Sequence, residues 1–419
     1  MTAGLVVSPP FGRDAVHLPE GPMAPHPVLD GHLRGWLGEA VPRILESARA
    51  SGPRALFLSG SARWGEFVAW KGDGGPWRPL SDIDLALVVD RRADSLARAL
   101  RAELERAFAR SRWGEALASC PIRIGTYAAH RLSRQNPMLS VAEMRRANSC
   151  LWGDASLLEA FPDPERDGVA PQELVRLCLS RSLELVEAWW RAETARPGDG
   201  PDGHEDLLRE YAVSKLGSDL GMVLLGGEGT FLWGSAARSR MIARRAEEGR
   251  VPEALAARIS QWTAARLAPA SPTPERSASW RDLAPAAELC ACLFWTWRRL
   301  LESQAEGGAL LPPGLLPREG RGLRDGLRRL RRAFAEPRSG PGFRALGAWR
   351  AARTAGTYWS ALGRASLALW LSQAPEAQEW RGEILSVLRP WMTAEEAGDP
   401  RRAALCLGRW TPWVRRAHG

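Results

Sequence analysis

Arg54–Asp90 reads RALFLSGSARWGEFVAWKGDGGPWRPLSDIDLALVVD. An apolar run of strand length, Ala55-Leu56-Phe57-Leu58, ends at Gly60-Ser61, and the spacing then predicts a helix through Ala62–Ala69. A second apolar run, Ile83 to Val89, follows Ser81-Asp82 and carries Asp84 inside it. Residues i and i+2 of a strand point to the same side, so Asp82 and Asp84 are expected to project together beside the Gly-Ser turn. Two carboxylates on one face repel each other unless a cation lies between them. Hard oxygen ligands of this kind suit Mg²⁺, which keeps several waters and takes substrate phosphates as further ligands. A turn leading into a helix N-terminus presents backbone N–H groups that favour a phosphate. The same residues also suit an ordinary surface turn before a solvated strand start.

The ordered set Gly60-Ser61, Arg63, Gly65 and Ser81-Asp82-Ile83-Asp84-Leu85 resembles the signature of the DNA polymerase beta-like nucleotidyltransferase superfamily. The resemblance implies that Gly60 and Ser61, with Arg63, hold the phosphates of a nucleoside triphosphate. It also implies that Asp82 and Asp84 bind Mg²⁺ or Mn²⁺ and serve catalysis. A nucleotidyl group would then pass to an acceptor hydroxyl or similar group. In this superfamily a third metal-associated carboxylate usually sits on a later strand. The corresponding segment here, Pro121–Tyr127, contains none, and Arg123 stands near the expected place. Glu66, Glu143 and Asp154 are substitutes whose role does not follow from spacing. That departure leaves open which residue deprotonates the acceptor, whether two metals bind, and whether catalysis is retained.

With 419 residues the chain is long enough for two or more domains with sizeable cores. No stretch approaches the ~20 apolar residues of a membrane span, and Pro9-Pro10 and Asp14 interrupt the N-terminus where a signal peptide needs an apolar core. Six cysteines are scattered in apolar contexts without zinc spacing, which reads as buried thiols in a reducing cytoplasm. Lys71 and Lys215 are the only lysines among the 57 basic residues. An arginine bias of this kind, with abundant Ala, Gly and Pro, matches a GC-rich genome and says little about partners. Met1–Ala170 holds 21 basic and 20 acidic residues, so the catalytic half is nearly neutral. Arg318–Arg353 holds 11 arginines against Glu319, Asp325 and Glu336, which accounts for most of the formal charge of +9.

Residues 1–27 read as an irregular Pro-rich arm. Leu29, Leu33, Leu37, Val41 and Leu45 then recur on one face of a helix over Val28–Ala50. The insert between Phe67 and Pro79 carries Trp70, Lys71 and Trp77. It suits either a hairpin packing its own tryptophans or a loop that closes over substrate. An amphipathic helix is expected over Asp94–Arg112, a strand over Cys120–Tyr127, a short helix over Met138–Ala147 and a small strand before Asp154. From Gln172 the pattern is almost entirely helical and rich in tryptophan, as expected where large rings fill the space between helices.

Tyr211 and Lys215 lie one turn apart on one of these helices. In related two-domain nucleotidyltransferases a helix of this kind directs a lysine to the triphosphate, which the resemblance implies for Lys215. An exposed charge with no role fits the sequence equally. Gly320–Phe334 pairs an apolar stripe with Arg321, Arg324, Arg328, Arg331 and Arg332, a face that would suit RNA phosphates, an acidic partner or water alone.

The expected fold is α+β: a small mixed-sheet nucleotidyltransferase domain over residues 28–160, then a large α-helical domain over 171–419 with a potential division near 270. The expected function is transfer of a nucleoside monophosphate from an NTP to a small-molecule or protein acceptor, with Mg²⁺ and release of pyrophosphate. The alternatives are a catalytically silent nucleotide- or partner-binding protein and an RNA-directed transferase.

Overall fold

The computed structural model describes residues 16–71, 75–91, 96–109, 122–135, 138–147, 149–163, 169–194, 204–269, 284–303, 358–389, 391–392 and 394–408. The chain is α+β and divides into two compact units, Met1–Val169 with Leu267–Pro269, and Ala170–Arg266 with Ala270–Gly419.

The first unit opens with α1 (Pro27–Ser47), whose first turn combines Pro27 with a cap in which His26 Nδ1 accepts from the Val28 N–H at 3.3 Å. β1 (Pro53–Ser59) leads into the single turn α2 (Gly60–Arg63). A hairpin of β2 (Ala69–Lys71) and β3 (Trp77–Pro79) precedes β4 (Ile83–Val89) and α3 (Leu96–Ala109). β5 (Ile122–Ala128), α4 (Leu139–Ala147) and β6 (Cys150–Gly153) follow. The main sheet has the order β5-β4-β1-β6, with β1 antiparallel to both neighbours and β4 parallel to β5. Both faces are covered, which is why β1 and β4 read as continuous apolar runs instead of alternating ones. Leu56, Leu58, Leu85 and Leu87 pack with Leu33, Leu37, Val41, Leu100 and Leu104 on one side. Phe57, Ala86 and Val88 pack with Val141, Met144 and Phe161 on the other.

Two local outcomes differ from the spacing. The helix expected over Ala62–Ala69 stops after one turn, because Gly65 takes a left-handed conformation (φ +73°) just past its end. A Cβ there would lie 2.9 Å from the Pro22 carbonyl oxygen, so glycine also permits close approach of the preceding segment. The described part of the N-terminal arm is not loose: Met23 is fully buried, and its carbonyl accepts from Phe67 N–H at 3.1 Å.

The second unit is helical: α5 (Pro171–Thr194), α6 (His204–Gly227), α7 (Ser235–Glu247), α8 (Glu253–Leu267), α9 (Ala284–Ser303), α10 (Tyr358–Leu371), α11 (Arg381–Leu388), α12 (Ala394–Gly398) and α13 (Pro400–Gly408). The tryptophans do what their bulk suggests. Trp189, Trp370 and Trp391 are fully buried, and Trp370 Nε1 donates to the Ser182 carbonyl at 3.1 Å, fastening α10 to α5. Among the described residues, no helix is long and apolar enough to cross a membrane. The arginine stripe Arg321–Arg332 lies outside the described residues.

Candidate functional site at one end of the sheet

Because β1 runs against β4 and β4 runs with β5, the end of β1 meets the starts of β4 and β5 at one end of the sheet. Ser59 pairs with Asp84, and Asp84 pairs with Arg123. The topology therefore brings Gly60, Ser61, Asp82 and Asp84 together, although about twenty residues of sequence intervene.

Gly60 makes the approach possible. Its φ is +70°, and a Cβ on it would fall 2.2 Å from Asp84 Oδ2. The carboxylate thus rests against the bare α-carbon of the turn, and any side chain at position 60 would collide with it. The Ser61 hydroxyl is buried and has no hydrogen-bond partner among the described residues. Leaving a buried hydroxyl unsatisfied costs about 1–3 kcal/mol, an expense that a bound acceptor or donor would remove. Ser81 has a different job. It is buried, its Oγ accepts from Val68 N–H at 3.1 Å, and its own N–H donates to the Val68 carbonyl at 3.1 Å. These two bonds tie the approach to β4 onto the chain entering the β2–β3 hairpin. Within that hairpin Trp77 is buried, with the His26 ring 4.7 Å away and Lys71 Nζ 5.6 Å from its ring centre.

Asp82 is mostly shielded, with 17% of its side chain exposed, and its Oδ2 lies 2.6 Å from Arg123 Nε. Arg123 lies opposite Asp84 in the parallel register of β4 and β5. It extends from β5 with 61% of its side chain in solvent and supplies a positive charge to the site. Arg63 closes α2 with its guanidinium 5.6 Å from the centre of the Trp64 ring, and burial lowers its pKa.

The other acids considered as substitutes are placed as follows. Glu143 accepts from Trp64 Nε1 at 2.8 Å, joining α4 to the residue after α2. Asp154 caps the short 3₁₀ turn Ala155–Ala160. It accepts from Ser156 N–H and Oγ, and those hydrogen bonds hold its carboxyl below the usual range. Glu66 is buried, and its N–H donates to the Ser61 carbonyl at 2.9 Å, directly behind the turn. Lys215 belongs to the helical unit, where its Nζ is 3.2 Å from Glu184 Oε2 on α5.

The donor set fits a divalent ion of the Mg²⁺ type that arrives with a polyphosphate. Asp82 and Asp84 offer hard carboxylate oxygens, and Asp84 lies close against the bare α-carbon of Gly60. Among the described residues no group of three His, Cys, Asp or Glu side chains is arranged to hold a metal. The remaining ligands would therefore be phosphate oxygens and water, which is how Mg²⁺ is usually held. The ion pair from Arg123 to Asp82 was not legible from spacing, since it depends on the parallel register of β4 and β5. Comparison with protein-family models, curated proteins and solved structures finds no match to this chain.

Proposed function

We propose that this protein is a nucleotidyltransferase whose first unit binds a nucleoside triphosphate at the end of the sheet. The observation that carries the reading is the seating of Asp84 against Gly60, across from Ser59. It joins a carboxylate, a glycine turn and an unsatisfied hydroxyl in one place, and φ +70° is a conformation that glycine adopts without strain. Ser61 and the turn backbone would contact the triphosphate, with Arg63 beside them, and Asp82 and Asp84 would hold Mg²⁺. When bound, the ion neutralises phosphate charge and orients the transferring group. The acceptor oxygen forms a bond to the α-phosphorus. The bond from that phosphorus to the β-phosphate oxygen breaks, and pyrophosphate leaves with the electron pair. The acceptor proton passes to water or a nearby base. Positioning and charge neutralisation supply most of the acceleration in such transfers, so a strong dedicated base is not required.

The near-neutral charge of Met1–Ala170 favours a small molecule or a protein side chain as acceptor over RNA. Free, buried thiols at Cys178 and Cys290 agree with a reducing cytoplasm. A second reading, a silent nucleotide-binding shell, is favoured by the Arg123–Asp82 pair, which places a fixed positive charge on one of the two acids. Turnover separates the two. With α-phosphate-labelled NTPs and Mg²⁺, an active enzyme moves label into an acceptor fraction, whereas a silent shell binds the triphosphate and moves none.

A further inference from the structure

Three facts about Arg123 belong together. The parallel register sets it beside Asp84, its Nε is 2.6 Å from Asp82 Oδ2, and 61% of its side chain is in solvent while Asp82 is 17% exposed. The guanidinium therefore reaches back from open solvent over the site onto the more sheltered acid. Arginine stays charged at every ordinary pH, and its planar fork suits carboxylate and phosphate alike. Asp82 thus has a permanent counter-charge before any ion arrives. A divalent ion at the outer side of Asp82 would have to meet that charge at close range or evict it.

We propose, resting on the nucleotidyltransferase reading, that Arg123 is the second cation of the site. The triphosphate is then bound with one divalent ion, held chiefly at Asp84, and the Arg123 guanidinium occupies the position at Asp82 that a second ion would need. Arg123 acts as a positioning and charge-balancing residue. From there it is also placed to donate to a phosphate oxygen, which a hydrated ion would otherwise contact.

The test is the number of Mn²⁺ ions bound per chain, read by electron paramagnetic resonance with saturating α,β-methylene analogues of the four NTPs. The wild type is expected to bind one ion, and R123D two. Two ions on the wild type, or no gain in R123D, would overturn the assignment. R123Q gives an independent arm, because it keeps a hydrogen-bonding side chain and loses the charge. Releasing a largely exposed ion pair predicts Mn²⁺ binding about two- to fivefold tighter without nucleotide. Unchanged affinity in R123Q would also contradict the assignment. If the wild type takes up neither analogue nor ion, the nucleotidyltransferase reading itself fails, and the result is distinct from either stoichiometric outcome.

Discussion

Asp82 and Asp219 are both carboxylates held by arginine, yet they sit in opposite settings. On α6 of the helical unit, Asp219 receives Arg181 Nε at 2.6 Å from α5, Arg238 Nη2 at 3.0 Å from α7 and Arg266 Nη1 at 3.1 Å from α8. It is buried, as are Arg238 and Arg266. Burial pushes its carboxyl up, and the three guanidinium groups override that and hold it well below the usual range. Asp82 receives a guanidinium that is itself largely in solvent. A carboxylate enclosed by arginines from three other helices acts as a clamp with no room for exchange. One that shares its charge with an exposed arginine at the mouth of a glycine turn can trade partners with a ligand.

The contrast breaks first on stability. Asp219→Ala leaves guanidinium groups buried without their carboxylate and is expected to cost about 3–5 kcal/mol in denaturant unfolding. Asp82→Ala removes a pair open to solvent on one side and is expected to change stability by less than about 1 kcal/mol. Comparable losses in both would erase the distinction. In transfer assays the order reverses. Asp84→Ala should lower turnover about a thousandfold, equivalent to about 4 kcal/mol of lost charge stabilisation, while Asp219→Asn retains the wild-type nucleotide preference.

Gly60→Ala tests the seating of the carboxylate. The added methyl meets Asp84 Oδ2, and φ +70° disfavours any L side chain. The variant should be destabilised by about 1–3 kcal/mol and bind triphosphate more weakly, measured by thermal unfolding and by titration.

Acid sharpens the same comparison. The folded carboxyl of Asp219 lies below its ordinary value of 3.8. Its stabilisation is therefore complete above that value, shrinks as pH falls below it, and is gone once the folded carboxyl itself protonates. Stability profiles below pH ~4 should fall more steeply for the wild type than for Asp219→Asn, which has no proton to gain. Within the helical unit a smaller effect than that of Asp219→Ala is expected from Trp370→Phe. It keeps the ring in the core and loses one hydrogen bond to Ser182, at a cost of about 1 kcal/mol.

Local chemistry in the chain foretold the core of the first unit. The runs 55–58 and 83–89 become adjacent central strands, and Leu33, Leu37 and Val41 line the buried face of α1. Asp82 and Asp84 were picked out by their i, i+2 spacing, although β4 begins only at Ile83 and Asp82 stands just before it. What depends on register was not visible. The partnership of Arg123 with Asp82 spans forty-one positions and exists only through the β4–β5 pairing. The Asp219 clamp is still less legible, since its arginines lie at separations of 38, 19 and 47 along four helices. Gly65 was in plain sight within the signature, but the close approach of the Pro22 backbone that it permits comes from the N-terminal arm.

The most direct measurement is transfer of label from α-phosphate-labelled ATP, CTP, GTP and UTP, with pyrophosphate release followed in parallel. Each is supplied with Mg²⁺ and a cell extract separated into small-molecule, protein and RNA fractions. Wild type is compared with an Asp82→Ala/Asp84→Ala double variant shown to unfold at the same temperature. The account predicts label in the small-molecule or protein fraction and matching pyrophosphate for wild type alone. Equal transfer by both proteins, or no transfer and no triphosphate binding by wild type, would contradict it.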